Sequence, residues 1–113
     1  MKIAIPTANG KLSMHFGHCE QFTMIEVDER NSSILKTEML DPPPHEPGVL
    51  PHWLAQQGAD MIITGGMGQR AQALFEEQSI RVITGASGEL TPNEVAAAYL
   101  NKTLLTGENA CDH

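Results

Sequence analysis

Basic residues are scarce in this chain. Seven Lys and Arg stand against fourteen Asp and Glu, for a formal net charge of −7 over 113 residues. The seven form no cluster, so neither a nucleic-acid backbone nor an anionic membrane finds the basic footprint it needs. Long apolar runs are missing as well. No stretch reaches the ~18 residues of a membrane span, and "MKIAIPTANG" lacks the longer apolar segment of a secretory signal. The expectation is a cytoplasmic protein. Cysteine is limited to Cys19 and Cys111, and in a reducing compartment such a pair serves as thiols or ligands rather than as a disulfide. A catalytic constellation is also lacking. No nucleophile–base pair has a third orienting group, and the first strand, "KIAIP", carries none of the carboxylates that two-metal chemistry requires. The expectation is therefore a protein that is not an enzyme.

What is present is ordinary globular material. Hydrophobic residues make up 41%, enough for one core without staples. A single domain is expected over 1–106, with a loose tail over 107–113. "KIAIP" reads as a buried strand ended by Pro6, followed by a loop over 7–19. "EQFTMIEVD" is a second strand, with Ile25 and Val27 on one face and Phe22 and Met24 on the other. "ILKTEML" is a third, and its exposed Lys36 and Glu38 suggest an edge. The proline-rich "DPPPHEPG" forbids regular structure. A helix follows, with Leu50, Trp53 and Leu54 at helical spacing, Pro51 in its first turn and Gly58 at its end. "DMIIT" and "IRVIT" are short apolar strands around the helix "QRAQALFEEQ". "TPNE" then opens a last helix with the pattern of a capping box.

The order β-β-β-α-β-α-β-α predicts an α/β fold of three layers with three helices. Right-handed crossovers make the last two strands parallel. The expected sheet has five strands in the order 3-2-1-4-5, with strand 2 antiparallel to the rest, which is a ribonuclease H-like topology. Strand 1 then sits at a topological switch point, where ligands of such sheets bind beyond the carboxyl ends of the strands. Loop 7–19, "GGMG" and "GASG" should meet there.

The first of these loops holds "SMHFGHC", which gathers His15, His18 and Cys19 within five positions. Imidazole and thiolate suit zinc, copper and iron–sulfur species. The spacing matches no zinc finger, and a solvent-facing loop histidine is the plainer reading of each. "GGMGQR" opens a helix directly after a strand. It is either an anion cradle of backbone N–H groups with Arg70 nearby, or simply close strand-to-helix packing. Met14 and Met67 lie in the two converging loops and suit either a soft pocket or packing. His45 and His52 read as surface histidines. Cys111 and His113, in the final "CDH", are either ligands on a tether or part of a free end.

The segments "MKIAIPT", "HFGHCEQFTMIEVD", "GADMIITGGMGQRAQALFEEQSIRVITG" and "AAYLNKTL", in this order along nearly the whole chain, resemble the dinitrogenase iron–molybdenum cofactor biosynthesis family. "GENACDH" also resembles the tails of its small stand-alone members. The resemblance implies a ribonuclease H-like domain that carries or scaffolds a metal–sulfur cluster: iron–sulfur, an iron–molybdenum precursor, or another molybdenum or copper sulfide. It implies His15 as a cluster contact. It does not imply a nitrogenase client, because stand-alone members occur outside nitrogen fixation.

On this reading His15 and His18 contact the cluster, and Cys19, Cys111 and His113 are further candidate metal ligands. Backbone N–H groups of Gly66, Met67 and Gly68 neutralise cluster sulfides. Its partners are cluster donor and acceptor proteins, and the chain is a monomer or weak homodimer. The competing reading is a simple zinc- or copper-binding or regulatory partner domain without a cluster.

Overall fold

The computed structural model describes residues 1–14, 19–43 and 48–107. Along the chain run β1 (Lys2–Ala8), β2 (Lys11–Leu12), β3 (Gln21–Asp28), β4 (Ser33–Leu40), α1 (Val49–Gln56), β5 (Met61–Ile63), α2 (Gln69–Glu77), β6 (Arg81–Ile83) and α3 (Pro92–Leu100). The sheet path is β4-β3-β1-β5-β6, and β2 pairs with β1 off that path. β1 is antiparallel to β3 and to β2, and parallel to β5.

The sheet thus has six strands where five were expected. The extra one is a hairpin arm. Asn9 and Gly10 both have positive φ, at 54° and 77°, the conformation that turns a two-residue hairpin with the twist of its strands. Thr7 then faces Leu12, and Ala8 faces Lys11. Pro6 does not end β1, which runs on to Ala8. Its carbonyl accepts from the Ser13 amide at 2.7 Å. In an extended strand the N and O of one residue point to the same edge, so the missing N–H of Pro6 falls on the β5/β2 side. There β5 has already stopped pairing at Ala4 and β2 begins only at Thr7. A proline costs no ladder bond at such a change of partner.

The alternation of β3 divides the core in two. Phe22 and Met24 join Ala4, Ile62, Leu50, Leu54 and Phe75 on the α1/α2 face. Ile25 and Val27 join Ile3, Ile5, Met61, Ile63, Val95 and Ala96 on the α3 face. Helices on both faces of one sheet give three layers.

The helices are short and sharply ended. Thr91 and Glu94 form the reciprocal capping box at the start of α3. At the end of α1 the Ala59 amide reaches the Leu54 carbonyl and the Gly58 amide reaches that of Ala55, both at 3.0 Å, with Gly58 at φ 87°. α2 and α3 close through the same two bonds, with Ser79 and Lys102 in the left-handed position.

Candidate functional site at the carboxyl rim of the sheet

β1, β5 and β6 all point their carboxyl ends at one rim, and the loops beyond them are stitched together there. The Gly65 amide donates to the Ser13 carbonyl at 3.3 Å, and the Thr64 hydroxyl donates to the same oxygen at 3.4 Å. The Gly85 amide donates to the Gly65 carbonyl at 3.0 Å, and the Leu12 amide to the Leu90 carbonyl at 2.9 Å. The expected meeting of the three loops therefore holds, carried mainly by backbone hydrogen bonds.

Close approach explains two of the glycines. A Cβ on Gly65 would lie 2.8 Å from Met14 Cα, and one on Gly88 would lie 2.6 Å from the Met14 sulfur. Met14 is thus seated between the second and third loops, with its side chain still 44% exposed. Gly68 is different: its φ is −64°, and nothing lies within 4 Å of where its Cβ would be. It is the N-cap of α2 and supplies no side-chain cap, so the first turn of that helix opens at the rim with exposed Gln69 and Arg70.

Gly66 is buried, and its carbonyl shares the single Thr64 hydroxyl proton with the Ser13 carbonyl, each at 3.4 Å. Met67 turns into the α1/α2 core at 1% exposure, and its carbonyl accepts from the Gln72 side-chain amide at 2.9 Å. Its side chain is core and does not line the rim. Cys19 is also buried in that core cluster. Desolvation pushes its thiol up to about 11, against a smaller lowering by its backbone hydrogen bond. At neutral pH it is a protonated thiol, and a metal would have to displace that proton. His52 is exposed on α1. His15, His18, His45, Cys111 and His113 lie outside the described residues. Among the described residues no group of three or more His, Cys, Asp or Glu side chains is arranged to hold a metal ion.

Two contributors to the rim escaped the sequence reading. The Gly107 amide donates to the Gly85 carbonyl at 2.8 Å, so the chain returns after α3 to the third loop. The segment after β4 also leaves from this rim, tied by the Gln21 side-chain amide to Asp41 at 2.9 Å. The second was implicit in the topology, because β4 runs parallel to β1. The first had no local signal, since "LLTG" carries no periodicity that points back to the sheet.

Among the described residues, no helix is long and apolar enough to cross a membrane. An uncharacterised protein of Methanocaldococcus jannaschii is 34% identical over 87 residues, covering 73% of this chain and 72% of that protein. The crystal structure of PH0822 superposes with a TM-score of 0.87 at 27% identity, covering 97% of each chain. The apo form of the orange protein from Desulfovibrio gigas shares the fold at 20% identity, with a TM-score of 0.68 over 96% of this chain and 93% of that one. The model of the dinitrogenase iron–molybdenum cofactor family matches residues 1–102. With nearly the whole described chain covered by that match, the protein belongs to the dinitrogenase iron–molybdenum cofactor family.

Proposed function

We propose that this protein is a cytoplasmic, non-catalytic carrier or scaffold that holds a metal–sulfur cluster as cargo for assembly or transfer between donor and acceptor proteins. The observation that supports it is the rim itself. Three loops converge beyond the strand ends of a cofactor-family fold, beside a helix whose N-cap, Gly68, has no side chain to cap it. An anionic sulfide cluster on a chain of net charge −7 needs local positive dipoles, and uncapped N–H groups provide them.

His15 follows Met14 directly and His18 comes three residues after His15, and Met14 is packed against Gly65 and Gly88. They are the proposed contacts. Cys19, protonated and in the core, is a weaker candidate than the spacing alone implied. Cys111 and His113 start from Gly107, which is bonded to the third loop. Cys111 follows Gly107 by four residues, a reach of at most about 14 Å. The described first turn of α2 fits an anion. The soft ligands the cluster would need belong to the segments 15–18 and 108–113.

Anaerobic purification with metal and sulfide analysis and a visible spectrum tests this reading. The expected result is a coloured protein, or one that reconstitutes with iron, molybdenum or copper and sulfide. His15→Ala should lower loading while leaving the melting temperature unchanged. A colourless protein that cannot be reconstituted, or one that takes up only zinc without sulfide, overturns the reading.

A further inference from the structure

β4 ends the sheet path, and its outer edge pairs with no other strand among the described residues. An edge of eight residues is a template for another strand unless something blocks it. Here the usual devices are incomplete. The strand has no proline, Leu35 and Met39 are 60% and 51% exposed, and the intervening charges are one Lys and one Glu.

Those residues are ordered so that the strand complements itself. In antiparallel pairing centred on Thr37, Lys36 of one copy stands opposite Glu38 of the other. Glu38 stands opposite Lys36, and the exposed Leu35 and Met39 flank these two pairs. Lys36 and Glu38 lie on one face of the strand, 3.9 Å apart within a single copy, so two copies bring four alternating charges together on that face. Opposite charges at directly facing positions stabilise a ladder. No other centre within "ILKTEML" sets Lys36 opposite Glu38.

We propose that β4 is a self-association edge, and that its occupant is a second copy of this chain, paired antiparallel about Thr37. The register of β4 against β3 slips between Lys36 and Ile34. Leu35 is the extra residue of that bulge, so the regular ladder about Thr37 runs only from Lys36 to Glu38. An interface this short buries less than a standard stable complex, so the dimer is weak and reversible. It lies on the outer strand, and its formation does not depend on cluster binding.

The test is sedimentation equilibrium of the full chain under reducing conditions, over about 10 μM to 1 mM. The parent should dimerise in that range. Lys36→Glu and Glu38→Lys should each weaken it by about tenfold, because each places two symmetry-related like-charge pairs across the edge. A one-to-one mixture of the two variants should regain association as a heterodimer, and the double variant should regain it as a homodimer. Glu38→Lys, whose neighbour on β3 is Met24, should melt with the parent, whereas Lys36→Glu faces Glu26 on β3 and should melt slightly lower. A parent that stays monomeric at about 1 mM overturns the proposal. So does association that neither reversal changes, or reversals that the mixture fails to rescue.

Discussion

The Gly107 amide donates to the Gly85 carbonyl at 2.8 Å, closing the chain after α3 onto the loop after β6. Gly85 has φ 85°, and any Cβ there would run into the backbone of Gly107. Gly85→Ala should therefore cost about 1–2 kcal/mol for the left-handed conformation alone. It should also speed hydrogen exchange at the Gly107 amide. Urea unfolding and amide exchange measure the two effects, and unchanged exchange would mean that this bond is not held in solution.

The same bond predicts what residues 108–113 contribute. A chain ending at Gly107 keeps the anchor and loses little apolar area, so its melting temperature should match that of the full chain. If Cys111 or His113 holds metal, the shortened chain should lose it to a chelator faster. Cys111→Ser and His113→Ala separate the two side chains. Equal release rates in the full chain and all three variants would make "CDH" a bystander.

Gly68 and Gly65 should respond in opposite ways. Gly68→Ser supplies the side-chain cap that α2 lacks, in space that is open, and should stabilise the apoprotein by a few tenths of a kcal/mol. The new hydroxyl competes with an anionic cargo for the same N–H groups, so metal and sulfide retained after gel filtration should fall. Gly65→Ala forces Met14 away from the second loop and should cost about 1–3 kcal/mol. Retention that survives Gly68→Ser unchanged would put the cargo away from this helix.

Burial sets the chemistry of Cys19. With its pKa raised from 9.0 to about 11, the thiol in a Cys111→Ser background should react slowly with iodoacetamide at neutral pH. The rate should climb as pH rises towards 11. The sign for stability follows. Above pH 9 the unfolded thiol releases its proton while the folded one keeps it, so stability falls between about pH 9 and 11. Cys19→Ala should remove that part of the alkaline loss. Rapid labelling at pH 7 would show an exposed thiolate and restore Cys19 as a ready ligand.

Local and periodic features of this protein were legible in its sequence. The period-two alternation of "EQFTMIEVD" assigned Phe22 and Met24 to one core and Ile25 and Val27 to the other, because successive side chains of a strand must take opposite faces. Thr91, Pro92 and Glu94 marked the start of α3 because a capping box is satisfied within four residues. The Asn9–Gly10 hairpin was equally local, and reading Pro6 as the end of a strand hid it. Whether a proline is tolerated depends on which neighbour its missing donor would face, and that is a property of the sheet. The same limit applied at the rim. Gly65 and Gly88 are required by the backbone and sulfur of Met14, Gly85 by Gly107, and the high thiol pKa of Cys19 by the core that closes over it. Each of these depends on residues distant in sequence, and only the packed sheet brings them within contact.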